Sequence, residues 1–520
     1  MIGRRYPRPR AYTRGKNCHP FGGCAGVKTS RVDPHGVALL IACYILTAAL
    51  DGCQPRRVRP MGPEERAAQE FDGVLARDAR PSGRTQRFTL TAAPTALVLL
   101  GGRSMDVWAY NGSVPGPTLR VRKGDRVRVE FHNRLPQPTT VHWHGVRLPN
   151  AMDGVPGVTQ PPVPPGGDFV YEFVPKDAGT FWFHPHVRGS EQVERGLHGV
   201  LVVEDEAPLP FDEEVVWVLD DWRLDAQGAV DPAFNTRHDL AHDGRWGRDV
   251  TVNGRTNSRL FARPGARLRV RILNAANGRV FRLGLGGLPA RLLAVDGTYT
   301  SRAVPADGFE LAPGNRVDLD VSIPPDAAGR AYAVTDNFVA RMPNTLTAVE
   351  VTAEPPRPAG RFAAPRARVP LWANGLSLPI RQTYRLDARA GGPFGIEWTF
   401  NNEAFRHDDS GAHDHHATAT LPLGRWSRLQ FVNASYRLHP IHLHGMFFRV
   451  IGRNGAFVDE PFLRDTALVH PRETMDIAVV PLDEGRWMMH CHILEHAEAG
   501  MMTLLDVVPP GSPASEAHHP

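Results

Sequence analysis

Four of the His-X-His pairs in this chain of 520 residues recur in similar surroundings: His142/His144, His184/His186, His442/His444 and His490/His492. On a β-strand, residues i and i+2 point to the same face, so each pair presents two imidazoles to one site. A single pair is weak evidence, because a surface strand carries it as readily as a metal site. Four pairs at matching positions of two related segments are hard to explain without metal. The last pair encloses a cysteine in "HCHILEHAEAGMM", residues 490–502. If His490 and His492 face a junction between domains, Cys491 faces the opposite way, into its own domain. Its thiolate would then join His496 and His439, with a methionine as weak axial ligand, in the His2Cys set of a blue-copper electron-transfer centre.

Positioning such pairs requires strands. Gly (50) and Pro (47) are dense, and no long stretch carries helical periodicity. In "LRVRKGDRVRVEFHN", Leu119, Val121, Val127, Val129 and Phe131 alternate with polar residues around a Lys-Gly-Asp turn, the pattern of a half-buried hairpin. The chain therefore reads as all-β sandwiches. Internal repeats sharpen this. "VEFHN" ends at Asn133 and "LQFVN" at Asn433, and nine residues after each comes the first histidine of "HWHG" (His142) or "HLHG" (His442). In the middle copy "VRILN" ends at Asn274, and the same offset reaches Leu283 of "LGLG". "DAGTFWFHPH" (177–186) also aligns without a gap on "DEGRWMMHCH" (483–492), with Pro185 where Cys491 stands, whereas the middle "DAAGRAYAVTDN" (326–337) has no histidine. These marks place domains at 85–207, 212–353 and 366–508, with linkers at 54–84 and in the Pro-rich "AEPPRPAGRFAAP", and a tail at 509–520.

On the motifs "HWHG", "FHPH", "HPIHLHG" and "HCHILEHAEAGMM", the chain after about residue 85 resembles the three-domain multicopper oxidases, the laccase and cuprous-oxidase-like group. The resemblance implies three tandem cupredoxin-like Greek-key β-sandwich domains and four copper ions. It implies a type 1 copper on His439, Cys491, His496 and Met501, with Met502 the alternative axial ligand. It implies a type 2 copper on His142 and His442, and a type 3 pair on His144, His184, His186, His444, His490 and His492. The implied reaction is one-electron oxidation of a phenol, aromatic amine or low-valent metal ion, coupled to reduction of O2 to water. Asp153, nine residues after His144, stands where the family has a proton-relaying carboxylate. A second family carboxylate directly follows the last histidine of the cysteine motif. Here Ala497 occupies that place and Glu498 follows, so Glu498 is the candidate relay only if the loop shifts. A copper-binding or electron-transfer protein with little turnover is the other class this ligand set allows.

The N-terminal 53 residues read as an export signal. "VALLIACYILTAAL" (37–50) is short for a membrane span but fits a secretory h-region, and "LDGC" resembles a lipoprotein processing box with Cys53 acylated. Ordinary signal cleavage and an uncleaved anchor stay open. All three export the body of the protein to the periplasm or cell envelope. Four of the five cysteines lie within this segment; beyond Cys53 the only thiol is Cys491, so no disulfide forms within that part. A net charge of +5 spread over scattered arginines gives no basic block for nucleic acid, and a monomer is expected.

Two further His/Asp segments are solvated loops or metal-collecting sites: "RHDDSGAHDHHATA", with His407, His413, His415 and His416, and "RHDLAHDGRWG", with His238 and His242. Only 11 methionines are present, with no Met-rich insertion, and Met446, Met488 and Met489 are expected to pack in the core. Substrate choice is expected in loops near 405–416 and 436–440.

Overall fold

The computed structural model describes residues 80–512 apart from 340–342, 359, 364–366, 368–374 and 407–415, together with Leu75 and Asp78. The export segment, Cys53, His407, His413 and His415 lie outside the described residues.

Residues 85–204 form two facing four-stranded sheets. One orders Ser104–Tyr110, Thr85–Val98, Arg126–Asn133 and Asp168–Phe173; the other orders Thr118–Arg122, Gly199–Glu204, Gly179–His184 and His142–His144. Two more sandwiches follow, each of a six-stranded and a five-stranded sheet, spanning Glu213–Val351 and Ile380–Val508. The copies share one construction. In each, the opening strand runs parallel to the strand that ends in the repeated asparagine: Thr85–Val98 with Arg126–Asn133, Glu213–Trp222 with Arg267–Asn274, Ile380–Ala390 with Ser427–Asn433.

The three asparagines explain why the repeat persists. Each is buried, and each Nδ2 donates to two backbone carbonyls: Asn133 to Gln137 and Val163, Asn274 to Arg279 and Leu311, Asn433 to Arg437 and His470. Each Oδ1 accepts the amide two residues on. One side chain thus satisfies two backbone groups in the loop before the next strand and ties that loop to a carbonyl 30 to 37 residues farther along the chain. In the outer copies that next strand carries the histidines.

The expected hairpin at Lys123-Gly124-Asp125 is not formed. Val121, Val127 and Phe131 are buried as the alternation requires, but Thr118–Arg122 and Arg126–Asn133 lie in different sheets, and the turn crosses between them. Asp125 directs the crossing. Its carboxylate accepts from Ser82, Arg84 and the Arg122 amide, and these contacts hold it below the ordinary carboxylate range despite burial. Period-2 alternation reports which face is apolar and not which strand is the neighbour.

The first and third sandwiches share a core: Trp426, Phe447, Ile451 and Leu463 cluster with Trp143, Tyr171 and Phe183. Met446 and Met489 pack in the core of the third sandwich, and Met488 in a satellite cluster.

Candidate metal centres

The strand pair at the heart of the third sandwich sets two sites back to back. His439–Leu443 runs antiparallel to Gly485–Cys491, with His442 opposite His490 and Ile441 opposite Cys491. Directly opposed residues share a face. His439, Ile441 and Cys491 therefore point into their own domain, and His442 and His490 point away from it. The first sandwich repeats the outward half, with His142 opposite His184.

In the inward site, Cys491 Sγ lies 3.7 Å from His439 Nδ1 and 3.8 Å from His496 Nδ1. A thiolate and an imidazole sharing one trigonal ion, at bond lengths of zinc size, would lie about 3.7 Å apart. Both other ring nitrogens are occupied. Ser435 Oγ donates to Asn433 Oδ1, so it accepts from His439 Nε2–H at 2.9 Å. His496 Nε2–H donates to the His242 carbonyl at 2.7 Å. These bonds fix the tautomer that turns each Nδ1 lone pair toward the sulfur. Burial pushes His496 down to about 3 and the Cys491 thiol up, so the imidazoles are neutral and metal binding must expel the thiol proton. Met501 packs in the same cluster as Cys491 and Ile441. Met502, opposite His490 in the ladder, packs on the other side with Met488 and Ala497.

The outward site gathers eight imidazoles, none more than 8% exposed. His144, His184 and His492 form one triad of converging donors and His186, His444 and His490 another, with His142 and His442 beside them. Burial, aided by neighbouring rings, pushes six of them (His144, His184, His186, His442, His444 and His492) well below the ordinary histidine range; burial also takes His490 to about 4. The outer nitrogens are tied back. His142 Nδ1 donates to the Asp153 carbonyl, His442 Nδ1 to the Asp465 carbonyl, His184 Nδ1 to Pro185 and His490 Nδ1 to Cys491. The inner nitrogens have no donor. His142 Nε2, His144 Nδ1, His184 Nε2, His442 Nε2 and both His492 nitrogens lack hydrogen-bond partners, while His490 Nε2 faces His444 Nε2 at 3.1 Å and His186 Nε2 at 3.4 Å. Each unsatisfied buried group costs roughly 1–3 kcal/mol. Neutral lone pairs converging at about 3.3 Å are what one cation holding two imidazoles would create. The residues present therefore fit copper in both sites.

Two carboxylates brace the cluster with matching geometry. Asp153 Oδ2 accepts from His444 Nδ1 at 2.8 Å, and Asp465 Oδ1 lies 3.1 Å from His144 Nε2. Each binds one outer histidine through its carbonyl and one histidine of the other domain through its side chain. Asp153 was anticipated; Asp465 was not. It lies 21 residues after His444 where Asp153 lies nine after His144, so unequal loops hide the correspondence. Asp465 in turn takes a forked contact from Arg316 of the middle sandwich at 2.6 and 2.8 Å. Burial pushes the Asp465 carboxyl up while the guanidinium opposes that shift, and the fork is the geometry of an ionised pair. The glycine of "HWHG" makes room for it: a Cβ on Gly145 would stand 2.4 Å from Arg316 Nη2 and Asp465 Oδ2.

Among the described residues, no His/Cys/Asp/Glu group that could hold an ion draws on the middle sandwich. It nevertheless walls the cluster, and Gly314, at φ +85°, sits where a Cβ would meet His492 at 2.8 Å and His144 at 3.0 Å. Gly314→Ala is expected to displace both rings and weaken copper retention about 10–100-fold, measured as copper per chain after dialysis against a chelator. Wild-type retention would mean that the rings move aside freely.

Glu498 does not touch the ligand histidines by hydrogen bond. Its carboxylate accepts from Ser190, and it lines a cavity of about 780 Å³ together with His184, His186, His490 and Ala497. His416 is exposed.

Three sequence models described as multicopper oxidase match residues 91–208, 213–354 and 381–511. Multicopper oxidase MmcO of Mycobacterium tuberculosis is 34% identical over 479 residues, covering 83% of this chain and 89% of that protein. Laccase-1 of Cryptococcus neoformans is 26% identical, covering 82% and 80%. The crystal structure of a multi-copper oxidase from Pseudomonas thermotolerans superposes with a TM-score of 0.71 at 36% identity, covering 82% of this chain and 99% of that one. Three cupredoxin-like domains, the donor sets and these likenesses agree: the chain belongs to the multicopper oxidase family and is a copper-dependent oxidoreductase that uses O2.

Proposed function

We propose that the protein holds four coppers and couples one-electron oxidation of a reductant (a phenol, aromatic amine or low-valent metal ion) to four-electron reduction of O2 to water. His439, Cys491, His496 and Met501 would hold a type 1 copper, and His142 and His442 a type 2 copper. The triads His144/His184/His492 and His186/His444/His490 would hold the type 3 pair. Copper supplies the one-electron steps and the reduction of O2.

The observation that carries this reading is the strand Gly485–Cys491 with His492: one thiol faces one donor set and its two flanking imidazoles face the other. That strand is a covalent route of a few bonds between the sites. The chain's own work is to keep every imidazole pre-aimed, to exclude water by burial, and to deliver protons. Asp153, between His142 and His444, would pass protons through Oδ1, which has no hydrogen-bond partner. Glu498 would pass protons from the cavity that reaches His184, His186 and His490. The features of residues 37–53 support export to the periplasm or cell envelope, with a lipid on Cys53, and the protein would act as a monomer.

Oxygen uptake by the copper-loaded protein, with a phenolic dye and with Cu(I), tests the reading together with a copper count of four. No uptake with any reductant would leave a copper-binding or electron-transfer protein instead. Asp153→Asn is expected to slow O2 reduction about 10–100-fold while the blue absorption stays intact. Full turnover in that variant would remove Asp153 from proton delivery.

A further inference from the structure

We propose that His238 and His242 form a surface clip for a low-valent first-row metal ion, Cu(I) foremost, that serves as reductant. The proposal rests on the oxidase reading above and names a substrate class for it. His238 lies in the helix Arg237–Ala241 and His242 at its C-cap; both are exposed, with ring centroids 4.2 Å apart and planes tilted by 31°. His242 Nδ1–H donates to the His238 carbonyl at 2.8 Å, which leaves the lone pair on Nε2, the form that binds a metal.

The helical turn that carries the pair is fastened to the fold. Thr236 Oγ1 caps the helix by accepting the Asp239 amide, and the buried Asp239 takes a forked contact from Arg223 at 2.6 and 2.8 Å. A chance pair of surface histidines would explain the stacking but not the connection beneath it. The His242 carbonyl accepts the His496 Nε2–H bond at 2.7 Å, so one residue's backbone joins the exposed imidazole to a member of the Cys491 site. The adjoining residues fasten the same contact. Asp243 Oδ1 accepts the Leu438 amide, next to His439, and the Leu240 carbonyl accepts from Trp398 Nε1, whose ring packs on both His439 and His496. An electron leaving the clip has the His242 main chain and one hydrogen bond to cross.

The donor set selects the ion. Imidazole suits copper and iron, whereas manganese and magnesium prefer oxygen ligands. Among the described residues no carboxylate joins the two rings in a group of three ligands. Two imidazole donors with open positions suit Cu(I), which accepts low coordination and is released after oxidation. The balance is four Cu(I), one O2 and four protons giving four Cu(II) and two waters, each Cu(I) losing one electron to the Cys491 site.

The test uses the copper-loaded protein and the variant His238→Gln, which leaves His242 and its carbonyl bond to His496 in place. Silver(I), a redox-silent stand-in for Cu(I), is titrated by calorimetry in chloride-free buffer, and steady-state rates are measured with Cu(I), Fe(II) and a phenolic dye. The expected result is one silver ion bound to the wild type that the variant loses. The ratio of kcat/KM for Cu(I) to that for the dye is expected to fall at least tenfold in the variant, through KM, with the blue band at wild-type intensity. Silver binding kept by the variant, no silver binding by the wild type, or a Cu(I)-to-dye ratio that does not change would overturn the clip. Absence of O2 uptake by the wild type with every reductant would instead overturn the oxidase reading.

Discussion

Cys491→Ser is expected to abolish the blue absorption, to lower the copper count by one, and to reduce turnover with every reductant by more than about 100-fold. That factor is the upper end of what loss of a supporting hydrogen bond near a metal costs, so a larger loss marks a ligand. The physical case is unusually clean, because no other thiol exists beyond Cys53 to take its place. Sγ is buried between His439 Nδ1 and His496 Nδ1, and a hydroxyl at that point supplies neither a soft anionic ligand nor the covalency of a thiolate. The flanking His490 and His492 face the other way, so the eight-imidazole cluster should keep its copper. The blue absorbance, metal analysis and oxygen uptake check this together. A blue band that survived in the serine variant would place the thiolate elsewhere and refute the two-faced strand.

Asp465→Ala is expected to have the second largest effect, and through the fold as well as the site. Arg316 is fully buried, and its guanidinium is neutralised by Asp465 through a fork and by Asp296 at 3.6 Å. Removing one partner of a buried pair costs about 3–5 kcal/mol, and Asp296 at 3.6 Å offsets only part of that loss. The same substitution frees His144 Nε2 and Thr466, loosening one triad. The variant should therefore unfold at a lower urea concentration and lose copper about 10–100-fold more readily. Adding Arg316→Met to Asp465→Ala should restore neither the copper nor the midpoint, since it takes the guanidinium from the buried Asp296 as well. A midpoint for the single variant equal to that of the wild type would show the pair to be dispensable.

The rules that made the donor sets legible are short-range. Alternation along one strand separates Cys491 from His490 and His492, and the constant offset of nine residues from Asn133 and Asn433 marks His142 and His442 as equivalents. The offset holds because the buried asparagine pins each loop at one length. In the third copy the same device extends through Ser435 to His439, a signal visible in "NAS" once the asparagine's role is known. The hairpin expected at residues 119–133 failed because alternation carries no information about partners in space.

The chain alone determined the fold class, the three copies, and which histidines and which cysteine could face a metal, because those follow from periods of two and from repeats. Only the tertiary structure decided the division of six histidines into two triads, the pairing of Asp153 with Asp465, and the entry of Arg316, Gly314 and the His242 carbonyl from a sandwich without ligands of its own. These contacts join residues of different sandwiches, from 149 to 321 positions apart in most cases. Such contacts depend on loop lengths and on how curved sheets pack, and no local pattern records either.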